Sequence, residues 1–136
     1  MKMKTSDAII LAQAIGMAQM SGKFAPPKFG FALAINATAL KSVTEAYDAS
    51  RIALAKEHAA KDDMGEPVMI EENGSSRFEI PDMAAFNAAL KTVQDAEVEV
   101  SLMKISLDDF PQEIDPGLVM GLLPIVKAPG ADKAAA

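Results

Sequence analysis

Hydrophobic residues recur along this chain in three rhythms. From Thr5 to about Met20 they fall in almost every helical phase: Leu11, Ile15 and Ala18 share one face, and Ile10, Ala14 and Met17 widen it. A stripe that broad predicts a helix covered on two sides. Thr5 or Ser6 is placed to cap it, Asp7 suits the positive end of its dipole, and Ser21-Gly22 ends it. Lysines ahead of an apolar run resemble the start of a signal peptide. Asp7, Gln13 and Gln19 interrupt the run, however, and no cleavage site follows. The segment is also too short and too polar to span a bilayer, so an amphipathic helix of a soluble protein is expected.

The second rhythm is a heptad. After KFAPPKF breaks the chain, Pro26 or Pro27 fits the first turn of a new helix, where a missing amide proton costs nothing. No proline follows until after Lys61, which allows a helix of roughly 35 residues, about 50 Å long at 1.5 Å per residue. Leu33, Leu40, Tyr47 and Leu54 recur at heptad spacing, with Phe29, Asn36, Val43 and Ser50 between them. Such a seam predicts coiled-coil-like packing, against another helix of the chain or against a second copy. Asn36 is the polar residue at a seam position, a familiar means of fixing register, with ligand recognition as the second reading.

The third rhythm is alternation. VMIE and RFEI read as strands joined through Asn73-Gly74, the strongest short turn signal. Glu97 to Leu102 alternates with Val98, Val100 and Leu102 inward, and the pattern slips at Met103-Lys104. Glu97 and Glu99 would face outward, as would Arg77 and Glu79, giving charges that can pair across strands. Between these strands Met83, Phe86, Leu90 and Val93 predict a third helix capped by Asp82, and Asp115-Pro116 opens a short helix ending near Pro124. The expected fold is α+β and helix-dominated, with a long central helix and a small antiparallel β-sheet of hairpin plus third strand. A single domain over residues 1–126 and a flexible tail over 127–136 complete the expectation.

Composition narrows the chemistry. Nine methionines, no tryptophan and one tyrosine predict an aliphatic, adaptable core. With no cysteine, disulfides, thiolate metal sites and cysteine nucleophiles are excluded. The net charge of −6 is uneven: up to Gly65 eight Lys and Arg meet six Asp and Glu, and from Glu66 onward five meet thirteen. The acidic second half disfavours non-specific nucleic-acid binding and places any anion site in the first half.

No constellation for catalysis emerges. His58 is the only histidine and stands among Lys56, Glu57 and Lys61, which reads as exposed surface. Asp62-Asp63 before Gly65 lacks the ligand spacing of a calcium loop and reads as a linker. Glu71-Glu72 and the pair Glu97 and Glu99 sit in polar contexts, so a raised carboxyl pKa for acid–base work is not expected. The glycines form no phosphate-binding loop, and no cofactor or metal site is indicated.

One region gathers donors. The start of the long helix offers unpaired amides and partial positive charge beside Lys23 and Lys28. Along or beside its seam lie Asn36, Tyr47 and Arg51. Lys28, Asn36, Tyr47 and Arg51 are therefore the candidate ligand-binding residues. Each also has a structural reading: register for Asn36, core packing for Tyr47, and an ion pair with Glu45, Asp48 or a sheet carboxylate for Arg51.

The stretches PPKFGFALAIN, LKSVTEAYDASRIAL, VEVSLMKISL and GLVMGLLPIV, with the acidic hairpin region between them, resemble a family of small phage and prophage proteins, a domain of unknown function. That family's pattern is Pro-x-Lys at a helix opening, Asn eight residues after the Lys, a later Arg-x-x-Leu, and a closing strand and helix. Lys28, Asn36, Arg51 and Leu54 occupy those places, and the likeness spans roughly residues 5–126. The resemblance implies a viral origin and a place in the host cytoplasm or the virion, without implying an activity. The resulting expectation is a non-catalytic phage accessory protein that homo-oligomerises through the long helix and sequesters a small anionic, nucleotide-derived defence signal. The alternative is a virion or tail-assembly component acting on phage structural proteins.

Overall fold

The computed structural model describes residues 1–21 and 26–127. Lys23, Gly22 and the tail beyond Lys127 lie outside the described residues. The elements run β1 (Lys2–Lys4), α1 (Thr5–Met20), α2 (Pro27–His58), β2 (Met69–Glu72), β3 (Ser75–Phe78), α3 (Met83–Asp95), β4 (Glu97–Glu99) and α4 (Pro116–Gly121). Short 3-10 turns occupy Leu107–Asp109 and Leu123–Ile125. The fold is α+β and helix-dominated, with a long helix and small antiparallel sheets of two strands each.

The strand pairing differs from the expected three-stranded sheet. β2 pairs with β3, and β4 pairs with β1, an N-terminal strand that the sequence reading misses. In the second pair Lys2 faces Glu99, Met3 faces Val98 and Lys4 faces Glu97. KMK and EVE thus match charge to charge on one side and apolar to apolar on the other. Glu97 and Glu99 oppose these lysines, while Arg77 donates through Nε to Glu72 Oε2 at 3.0 Å within its own hairpin.

The chain divides into two compact units, one formed by residues 1–44 with 97–136, the other by 45–96. The first unit holds the main core. Leu11, Ile15 and Ala18 of α1, Phe29, Leu33 and Leu40 of α2, and Ile105, Leu122 and Ile125 of the C-terminal segment are buried together. The rings of Phe29 and Phe110 meet at 4.9 Å between centroids. α1 begins at Thr5 itself, which is buried, with Lys4 in the capping position and no side-chain cap. α1 is not covered on two sides: Met17 remains 62% exposed, and Ile10 is also exposed. α4 starts as expected, the Asp115 carboxylate accepting from the Gly117 amide at 2.7 Å. It approaches α1 so closely that a Cβ on Gly121 would lie 2.9 Å from the Ala14 methyl. The chain then pairs with Ile105, whose amide donates to Ile125 and whose carbonyl accepts from Lys127, both at 2.8 Å.

The second unit packs the remainder of α2 with α3 and the hairpin. Asp82 caps α3 by accepting from the Ala85 amide at 3.0 Å. Phe86 on its inner face is buried and Leu90 and Val93 are half-buried, but Met83 turns outward. Asn73 and Gly74 take φ of 51° and 79°, the left-handed pair that a two-residue hairpin loop requires. Ala59 and Phe86 are the only buried side chains in this unit; Tyr47, Leu54, Val68, Ile70 and Phe78 reach only half-burial.

Candidate functional site

The candidate residues all lie on α2 and divide between the units, Lys28 and Asn36 in the first, Tyr47 and Arg51 in the second. Heptad spacing places Asn36 on the same face as Phe29, Leu33 and Leu40, and that face is the one the first unit buries. Asn36 is wholly enclosed. Its Nδ2 donates to the Met103 carbonyl at 2.9 Å, and its Oδ1 accepts from the Met103 amide at 2.7 Å. The amide side chain therefore stands in for a neighbouring strand, satisfying both backbone groups of one residue. Met103 is where the sequence alternation slips, and β4 has already ended at Glu99. The polar seam position bonds α2 to the segment that follows β4 in the same unit, not to another helix.

Lys28 is exposed near the start of α2, with Nζ 3.8 Å from Asp109 Oδ2. Proline at positions 26 and 27 removes two of the amides that a helix start would otherwise offer an anion. In the second unit the Tyr47 hydroxyl accepts from Gln94 Nε2 at 3.1 Å, joining α2 to α3. Arg51 lies one turn along with a guanidinium nitrogen 3.9 Å from Asp48 Oδ1, the partner anticipated among its structural readings. Both ion pairs are solvent-exposed, so each contributes little, about 0–1 kcal/mol.

His58 is half-buried rather than exposed, its ring set edge-on to Phe86 at 6.1 Å. The Asp62 loop is an ordered turn. One carboxylate oxygen of Asp62 accepts from the Met64 amide at 2.9 Å and the Glu66 amide at 3.0 Å, while Gly65 takes φ of 80°. Among the described residues no group of three His, Asp or Glu is arranged to hold a metal ion, and no helix is long and apolar enough to cross a membrane.

A cleft of about 500 Å³ in the first unit is lined by Ala18 and Ser21 from the end of α1, by Phe29, and by Ile114, Asp115 and Leu118 among others from around α4. No sequence motif marks it, because its walls come from three separated stretches of chain. Of its two carboxylates, Glu113 and Asp115, the latter caps α4.

The sequence reading also misses the outward apolar residues. Phe31 is 59% exposed and Ile35 42%, one turn apart on α2. Both stand on the side of the helix away from Leu33 and Leu40. Periodicity carried a signal for them, since α2 bears apolar residues outside its heptad positions. Comparison with protein-family models, with curated proteins and with solved structures finds no match to this chain.

Proposed function

We propose that the protein is a non-catalytic accessory protein that works by stoichiometric association with proteins, beginning with its own copies through the outer face of α2. In the viral setting that the family resemblance implies, this is an assembly role. One observation carries the reading: Phe31 and Ile35 remain exposed on a helix whose inner face is already filled by the core of its own unit. Aromatic side chains such as Phe31 are enriched at the cores of protein interfaces, and Ile35 extends its apolar surface along the helix. The first unit, with eight basic and eight acidic residues, carries no net charge, so two copies meet there without repulsion.

The sequestration reading makes a different demand. A small anion held by Asn36 would have to displace Met103 from both of its hydrogen bonds. Lys28 and Arg51 would exchange Asp109 and Asp48 for the ligand. The geometry favours association over sequestration.

Native mass spectrometry tests both. The expected result is an oligomer that becomes a monomer in the Phe31→Ser, Ile35→Ser double variant, with helicity unchanged. A wild-type monomer at high concentration would overturn self-association through α2. A bound sub-kilodalton adduct, lost in Lys28→Ala and Arg51→Ala variants, would restore sequestration.

A further inference from the structure

The second unit carries the whole net charge of the protein. Residues 45–96 hold five Lys and Arg against eleven Asp and Glu, a net −6, while the rest of the chain balances to zero. Within the unit the imbalance is concentrated in residues 62–82, where seven acids meet the single cation Arg77, itself bonded to Glu72. Residues 64–83 also expose apolar side chains. Met64 is 88% exposed, and Met69 on β2 and Met83 at the start of α3 are each 49% exposed. Met69 lies directly opposite Phe78 in the hairpin, so the two share a sheet face, and the neighbouring pair on that face is Glu71 and Ser76. On that face Met69 is half open to solvent and Glu71 and Ser76 are exposed, while Phe78 is half-buried.

We infer that the acidic stretch from Asp62 to Met83 docks a basic, amphipathic segment of a partner protein, with its exposed Met64, Met69 and Met83 receiving apolar side chains and its carboxylates the lysines and arginines. Charge selects the occupant. A second copy would bring −6 against −6, and nucleic acid or an anionic membrane would be repelled in the same way. A basic helix gains from the field and from burial of apolar area together. Methionine suits such a surface because its unbranched, polarizable side chain repacks around different apolar partners. Orientation comes from the hairpin backbone, pinned by the left-handed Asn73-Gly74 turn. The inference extends the proposed role as a protein-binding protein but is independent of self-association through α2.

The test uses the full-length protein with its methionine methyl groups labelled, titrated with a synthetic helical peptide of Lys and Leu at amphipathic spacing. The counterpart with Glu for Lys and a lysine-only peptide serve as controls. The expected result is saturable binding of the Lys/Leu peptide alone, weakened at high salt, with the methyl signals of Met64, Met69 and Met83 shifting and those of Met17, Met20 and Met120 unmoved. Met64→Ser with Met69→Ser should weaken binding by about tenfold or more, since each buried methionine is worth at least that factor. Equal binding of the lysine-only peptide, shifts at Met17 or Met20, or no binding would each overturn the proposal. The Phe31→Ser, Ile35→Ser variant should bind the peptide as the wild type does, so failure of self-association and failure of this site are read separately.

Discussion

Asn36 shows how much one side chain can determine. A buried carboxamide with both ends bonded to the Met103 backbone contributes modestly when intact, but its removal strands a donor and an acceptor. Asn36→Ala should therefore lower the unfolding free energy by about 1–3 kcal/mol, read from urea unfolding at unchanged slope. Asn36→Asp should be at least as harmful, because aspartate cannot donate to the Met103 carbonyl and adds a charge to an enclosed site. A loss below about 0.5 kcal/mol for Asn36→Ala would mean that Met103 finds other partners and that Asn36 does not hold the segment. The residue was legible as a polar interruption of a seam. Its partner was not, because Met103 lies 67 positions away and only the break in alternation marked it.

Elements with local punctuation were the ones the sequence disclosed. Asp82 and Asp115 announce their helices through cap bonds made within three residues, and Asn73-Gly74 announces the hairpin through its own φ values. β1 was hidden because three residues carry too little pattern, and its strand character depends on the complementary EVE far along the chain. The seam of α2 was legible as apolar periodicity, but periodicity alone does not say that its first half is filled by α1 and the C-terminal segment. Packing at the element scale makes two glycines opposite in sign. A Cβ on Gly16 meets nothing within 4 Å, so Gly16→Ala should stabilise α1 by about 0.5–1 kcal/mol through reduced backbone entropy of the unfolded chain. A Cβ on Gly121 would meet Ala14 at 2.9 Å, so Gly121→Ala should force α4 off α1 and cost about 1–3 kcal/mol. Thermal unfolding of the two variants should move in opposite directions. A Gly121→Ala variant as stable as the wild type would show that α4 shifts freely.

At the scale of the whole molecule, burial is distributed unevenly. The first unit closes a core around Leu11, Ile15, Phe29, Leu33, Leu40, Ile105, Leu122 and Ile125, whereas the second encloses only Ala59 and Phe86 and leaves its other large apolar side chains half-covered. Hydrophobic stabilisation scales with the apolar area removed from water, so the second unit has less to oppose its conformational entropy. Native-state hydrogen exchange should therefore show α3 and the hairpin opening at lower free energy than α1 and the first turns of α2, and losing protection first as denaturant is raised. Within α2 the protection should fall from the Phe29–Leu40 stretch toward Leu54. Equal protection in both units would mean that half-buried contacts suffice to lock the second. The same measurement bears on the acidic hairpin. A partner that covers Met64, Met69 and Met83 adds the burial this unit lacks, so bound basic peptide should slow exchange in residues 62–95 by the ratio of its concentration to its dissociation constant. Exchange in α1 should stay as it was, since the peptide adds nothing to a core that is already closed.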